Sequence, residues 1–297
     1  MLLDLVRRAV DQRDDILAGV QYAQVTRSVG LLIEAEGLHA ALGSICWLMR
    51  TRDQIPCEVV GFTDEKSFLM PLAQTEGVEP GALIRIANGG AAADELPDPM
   101  QMLGRVVNGL CEPIDGAGPL QGRSVRVSEQ TINPMLRMPI DTQLDVGIRT
   151  INSLLTVGVG QRVGVFAGSG VGKSVMLGMI ARFVQADVVV VGLIGERGRE
   201  VQEFVVDNLG EGLRRAVVVA CPADDSAALR LRGARLATRI AEAFRDQGKN
   251  VLLLMDSLTR VAQAQREIGL ALGEPPTSKG YTPSAFAWLP RLVERAG

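Results

Sequence analysis

Ala167-Gly-Ser-Gly-Val-Gly-Lys-Ser174, directly after the apolar run Val163-Gly-Val-Phe166, is the stretch from which the rest of this 297-residue chain is read. A short apolar run entering a glycine-rich turn, with lysine opening a segment of helical periodicity, predicts a strand over 162–166, a loop, and a helix over 173–185. The loop fits the phosphate-binding pattern G-x-x-x-x-G-K-[ST] except at its first place, where Ala167 stands. Gly168, Gly170 and Gly172 permit positive φ, so successive backbone N–H groups can converge on phosphate oxygens, and the following helix turns its positive end to the same point. In that geometry Lys173 neutralises the β and γ phosphates and Ser174 ligates magnesium. Gly168, Ser169, Gly170, Val171, Gly172, Lys173, Ser174 and Val175 therefore form the candidate nucleotide-binding run.

Downstream of this loop the pattern alternates. Fully apolar runs over 187–193, 216–220 and 250–255 read as strands, separated by helical periodicity over 200–209, 226–247 and 258–272. Strands apolar on both sides, with helices between them, mean a parallel sheet covered on both faces. An acid closing such a strand lies at the carboxyl edge of the sheet. Val251-Leu-Leu-Leu-Met-Asp256 supplies one, placing Asp256 beside the loop as a ligand for water-bound magnesium. The strand over 187–193 runs into Ile194-Gly-Glu-Arg-Gly-Arg-Glu200, and Glu196 is the candidate to polarise an attacking water. Arg260, four residues beyond Asp256, reads either as a contact to phosphate or carboxylate or as a surface helix charge.

Upstream, the chain differs in kind. Between about 20 and 88, short runs such as Ser28-Val-Gly-Leu-Leu-Ile33, Cys57-Glu-Val-Val-Gly-Phe62 and Ser67-Phe-Leu-Met-Pro-Leu72 are cut by Gly, Pro and Asp, which argues a small all-β barrel or sandwich. The stretch 89–99 reads as a linker, with a boundary near 95, and 104–119 reads as a hairpin-like connection. Residues 2–17 have helical apolar spacing and form one short amphipathic helix. No run approaches the roughly 20 apolar residues that span a bilayer, and the opening segment acquires Arg7, Arg8 and Asp11 before it could form the apolar core of a secretory leader, so none is expected.

Composition closes off other chemistries. Lysine and arginine number 31 against 34 aspartates and glutamates, a net charge of −3, which argues against a basic nucleic-acid binder. His39 is the single histidine, so Ser-His triads and multi-histidine metal sites are closed off. Cys46, Cys57, Cys111 and Cys221 contain no C-x-x-C pair and read as reduced, partly buried thiols.

Taken together, Ala167–Ser174, Gly192-Leu-Ile-Gly-Glu-Arg-Gly-Arg-Glu-Val201, Met255-Asp-Ser-Leu-Thr-Arg260 and Gly273-Glu-Pro-Pro-Thr-Ser-Lys-Gly-Tyr281, followed by Leu289-Pro-Arg-Leu-Val-Glu-Arg-Ala-Gly297, resemble the type III protein export ATPases. These are the flagellar and injectisome relatives of the catalytic β subunit of rotary ATP synthases. The likeness covers nearly the whole chain, is specific from Asp145 onward, and is looser before it.

The resemblance implies an α/β fold. A RecA-like P-loop NTPase core with a mainly parallel sheet, over 96–297, is preceded by a small β-barrel over 20–95 and a helix over 1–19. It implies ATP and Mg2+ bound between the subunits of a hexameric ring. Lys173 and Ser174 match the phosphate and magnesium residues, Asp256 the second-strand acid, and Glu196 the glutamate that activates water. Arg197 and Arg260 match arginines near the nucleotide. Gly273–Tyr281 matches the segment facing a central coiled-coil stalk. Further implied partners are a regulatory or stator protein at the N-terminal region, export chaperones and their substrates, and a membrane export gate, with no nucleic acid. The implied place is cytoplasmic, peripheral at the inner face of the inner membrane.

Such proteins continue beyond the equivalent of Gly297 with further strands, an arginine that reaches the neighbouring site, and a helical domain. The expectation is therefore a truncated chain with impaired hydrolysis, since such an arginine is worth about 10³ to 10⁵ in turnover. Two other functions fit the fold class. A non-catalytic ring subunit has no need of a water-activating carboxylate such as Glu196. An RNA translocase resembling Rho needs basic residues interleaved with aromatics in its barrel. Here the acids of that stretch, Glu34, Glu36, Asp53 and Glu58 among them, outnumber Arg27, Arg50, Arg52, Lys66 and Arg85.

Overall fold

Side chains of the first strands alternate between a dry interior and water, which gives their sheet one face to bury, in a barrel or a sandwich. The computed structural model describes residues 22–86, 95–122, 124–126, 133–168 and 170–296, so the helix expected over 1–19 and the candidate residue Ser169 lie outside it. The chain divides into two compact units, Met1–Ala93 and Asp94–Gly297.

In the first unit, β1 (Tyr22–Val29), β2 (Leu32–Glu36), β3 (Ile45–Met49), β4 (Gln54–Phe62), β5 (Lys66–Pro71) and β6 (Leu83–Ile86) form a closed antiparallel barrel in the order β1-β2-β5-β4-β3-β6. Ala23 and Val25 of β1, Ile33 and Ala35 of β2, Cys46 and Leu48 of β3, Ile55, Cys57 and Val59 of β4, Leu69 of β5 and Ile84 of β6 fill the interior. Of the two forms open to the sequence, barrel or sandwich, the barrel is realised, and closure leaves no sheet edge unpaired. Gly30, at φ +58, makes the tight β1–β2 turn.

The second unit begins with β7 (Glu95–Pro97), β8 (Val106–Val107) and β9 (Ser124–Arg126), β7 pairing with β9. Val107 bridges back to Pro113, as a hairpin-like connection requires, while β8 itself joins the main sheet in parallel. Next come α1 (Arg149–Leu154), α2 (Lys173–Phe183), β10 (Val188–Ile194), α3 (Gly198–Glu203), β11 (Ala216–Cys221), α4 (Ala227–Asp246), β12 (Val251–Asp256), α5 (Leu258–Ala271) and α6 (Pro283–Glu294). Among the described residues the main sheet is parallel, with the order β12-β10-β11-β8.

Central strands β10 and β11 are buried at every residue, whereas β12, at one end, is half-buried until Asp256. Val189, Val191 and Leu193 share a core with Leu177 and Ala181 of α2 and with Phe204 and Leu209. On the other face Ile194 meets Gly233 of α4 and Gly192 meets Ala237. Small residues there let α4 lie close to the sheet. Its N-terminus is capped by Ser226, whose Oγ accepts a hydrogen bond from the Leu229 amide at 3.2 Å.

Two expectations are corrected. The segment over 162–166 joins no ladder and has no regular structure, and its side chains are exposed, Phe166 at 97%. An extended chain becomes a strand only by exchanging hydrogen bonds with a neighbour, and β12 at the sheet's edge exchanges them with β10. The expected helix over 200–209 starts earlier as α3, then widens into a π-turn over Phe204–Leu209.

The end of α2 has an anchor that no local pattern announces. Arg215 donates to the Ala186 carbonyl at 2.7 Å, to Arg182 and Val184 at 3.0 Å, and to Ala181 at 3.2 Å, filling the C-terminal carbonyls of the helix that opens at the glycine loop. Arg215→Ala is expected to cost about 1.5–3 kcal/mol of stability, the worth of charged hydrogen bonds. Urea unfolding measures it, and a loss within experimental scatter would remove this anchor from the account.

Candidate functional site

At the carboxyl edge of the sheet, three loops meet where peptide dipoles and strand ends point together. The glycine loop enters α2 through Gly172, which sits at φ +89 as the residue before the helix, while Gly170 is at φ +74. A side chain at either position would be strained, so glycine is required there. Nothing lies within 4 Å of where a Cβ would stand at Gly168, Gly170 or Gly172, so the loop presents an open backbone face. Ser174, Val171 and Val175 are exposed beside it.

Lys173 reaches across to β12, where its Nζ lies 2.6 Å from Oδ1 of Asp256. Asp256 is only 4% exposed, so the ammonium group compensates a charge that burial would otherwise make costly. Register places Leu193 of β10 beside Asp256, and β10 ends one residue later. Gly195 follows at φ +76, with its amide donating to the Cys221 carbonyl at 2.7 Å. Glu196 comes next, its carbonyl accepting from the Ala223 amide at 2.9 Å. Its backbone is thus pinned to the ends of two strands.

The environment of Glu196 raises its carboxyl above the ordinary glutamate value. Partial burial contributes most, followed by the negative charge of Asp256 and a hydrogen bond shared with Glu200, while Lys173 pulls the other way. A carboxyl perturbed by burial and by a second acid, at a strand edge, has the character of a proton acceptor.

The two candidate arginines sit at the rim. Arg197 is exposed and pairs with Glu200, Nη1 to Oε1 at 3.2 Å. Arg260, also exposed, donates to Gln263 Oε1 at 3.1 Å, and its Cβ and Cγ lie over Gly195, where an added Cβ would stand 2.6 Å and 2.9 Å away. Lys173, Asp256 and Glu196 are thus brought together, whereas Arg197 and Arg260 turn to neighbours on their own helices. The residue missed in the sequence is Glu200. Its signal was the spacing of four from Glu196, overlooked because 196–200 also reads as a solvated charge run.

The chain is similar to known proteins over most of its length. The ATP synthase alpha/beta family, nucleotide-binding domain, matches residues 147–297. A flagellum-specific ATP synthase of Pseudomonas aeruginosa is 58% identical over 281 residues, covering 92% of this chain and 61% of its own length. The assembled ATPase EscN of the enteropathogenic E. coli type III secretion system is 40% identical with a TM-score of 0.84, over 93% of this chain and 66% of that one. EscN in complex with its central stalk EscO is 39% identical with a TM-score of 0.82, over 93% of this chain and 67% of that one. The chain spans about three fifths of the flagellar relative's length. With the matched region starting beside Asp145 and containing the loop, both acids and both arginines, the chain belongs to the ATP synthase alpha/beta family.

Proposed function

We propose that this chain binds ATP with Mg2+ at the carboxyl edge of β10 and β12 and hydrolyses it as a subunit of a type III protein export apparatus. The hydrolysis drives chaperone release and unfolding of exported proteins. The observation that carries this reading is the 2.6 Å pair of Lys173 and the buried Asp256 at the mouth of the open glycine loop. The lysine stands where polyphosphate charge is to be met, with the acid paired to it.

The donors fit magnesium. The Ser174 hydroxyl, in the first turn of α2, and the Asp256 carboxylate are hard oxygen ligands of the kind that ion takes while keeping several waters. When bound, the ion neutralises charge on the phosphates. Backbone N–H groups around Gly168, Gly170 and Gly172 orient the phosphates, and Lys173 exchanges Asp256 for a phosphate oxygen. Glu196 then accepts the proton of the attacking water at its carboxylate.

Flagellar relatives are 47–58% identical and a type 3 secretion system ATPase is 46% identical, which supports the flagellar branch. The assembled state of EscN and its complex with a central stalk support self-assembly of this chain and a stalk partner; in this reading the ring is hexameric and Gly273–Tyr281 contacts a coiled-coil stalk. A stator protein at the N-terminal region and a membrane export gate complete the reading, at the cytoplasmic face of the inner membrane. No helix among the described residues is long and apolar enough to cross a membrane.

Titrating ATP with and without magnesium onto the wild type and Lys173→Ala tests the site. Losing a desolvated charge partner costs about 2–5 kcal/mol, or roughly 30- to 4,000-fold in Kd. Equal affinity in the two proteins, each shown folded by circular dichroism, or no ATP binding by the wild type, would refute the proposal.

A further inference from the structure

The glycine-loop helix and the segment carrying Glu196 touch at a point with no slack. Gly178, in the second turn of α2, packs against Asn208 so closely that a Cβ there would lie 2.6 Å from the Asn208 Cβ, 2.9 Å from its carbonyl oxygen and 3.0 Å from its carbonyl carbon. No side chain fits at 178, so the Gly178 backbone lies directly against the Cβ and the carbonyl of Asn208. Asn208 belongs to the π-turn Phe204–Leu209, which continues α3 without a break. At the other end of α3, Arg197 precedes the helix and Glu196 precedes Arg197.

The rest of the segment is packed as one block with α2. Val201, Phe204 and Leu209 share the core with Leu177 and Ala181. Close-packed interiors transmit displacement instead of absorbing it. The π-turn is the irregular element in that block, and single π-turns inside helices recur at functional sites. Before α3, the Gly195 amide donates to Cys221 at the end of β11 and the Glu196 carbonyl accepts from the Ala223 amide. A shift of α2 on filling the glycine loop is thus passed through Gly178, Asn208 and the π-turn to α3, whose first residue lies two beyond Glu196.

We propose that Gly178 and Asn208 are positioning residues that relay occupancy of the phosphate loop to the segment bearing Glu196. The relay rests on the proposed nucleotide site and adds to it a route within one subunit. A Cβ at 178 acts as a wedge and removal of the Cβ at 208 introduces slack, so the two changes break the relay from opposite sides.

The experiment is amide hydrogen exchange of the full chain with and without a non-hydrolysable ATP analogue and Mg2+. In the wild type, the analogue is expected to slow exchange both in the glycine loop and across Gly198–Leu209. In Gly178→Ala and Asn208→Gly the loop stays protected while the change across Gly198–Leu209 is lost. Asn208→Ala, which keeps the Cβ, behaves as wild type. Variants that lower the melting temperature yet keep the wild-type change across Gly198–Leu209 would show a merely structural contact and overturn the relay. Analogue binding by the wild type without that change overturns it as well. No binding by the wild type overturns the nucleotide site and the relay with it.

Discussion

Glu196→Gln is expected to lower ATP turnover by about 10²- to 10⁴-fold, the worth of a positioned general base, while leaving nucleotide affinity as it is in the wild type. Glutamine keeps the size of the side chain and its hydrogen bonding but cannot take a proton from water. Binding rests on the glycine loop and on Lys173, which the change does not touch. Single-turnover hydrolysis measured beside an ATP titration separates the two effects, and turnover equal to wild type removes Glu196 from the mechanism.

The same residue sets a pH dependence. Burial, Asp256 and Glu200 raise its carboxyl, so the free protein loses the reactive carboxylate, as pH falls, earlier than an ordinary glutamate would. The acidic limb of kcat/KM, which reports the free protein, is therefore expected above the usual glutamate range. The sign for stability is opposite. With the folded value above the unfolded one, the unfolded chain ionises first and the fold loses stability as pH rises through that window. Removing the charge with glutamine is thus expected to leave the melting temperature equal or higher at neutral pH, a site in which function opposes stability.

The largest expected loss of stability lies away from the site. Glu242 of α4 and Arg295, just beyond α6, form a bidentate pair, Nε to Oε1 at 2.8 Å and Nη2 to Oε2 at 2.6 Å, with side chains only 4% and 9% exposed. Glu242→Ala strips both charge-assisted bonds from a buried guanidinium and is expected to cost about 3–5 kcal/mol. Replacing both partners by apolar residues of similar volume is expected to be near neutral, because the desolvation of both charges disappears with them. Urea unfolding of the single and double variants decides it. A single variant as stable as the double would show that the pair contributes nothing beyond packing.

Much of the site was legible because its chemistry lies in contiguous runs. Glycine spacing reports positive φ directly, and Gly170 and Gly172 adopt it. Apolar runs report burial, and β10, β11 and β12 form within one residue of the predicted bounds. The misread segment, 162–166, has the composition of a buried strand, but pairing belongs to two chains, and apolarity in one of them names no partner. Glu200 was hidden by a charge run, and Arg215 by the distance in sequence between it and the carbonyls it fills. The π-turn is decided by how Phe204 and Leu209 pack under α2, which no propensity encodes.

By itself, then, the sequence determined a parallel α/β core with a phosphate loop, the acid closing β12 and the glutamate after β10, since each follows from neighbours a few residues away. The tertiary structure alone decided that Lys173 and Asp256, 83 residues apart, form one contact, that the Glu196 carboxyl is raised by burial and then by the company of Asp256 and Glu200, and that Gly178 bears on Asn208. Those facts depend on strand order and helix packing, where small residues allow backbones to close up and burial makes each charge depend on its partner.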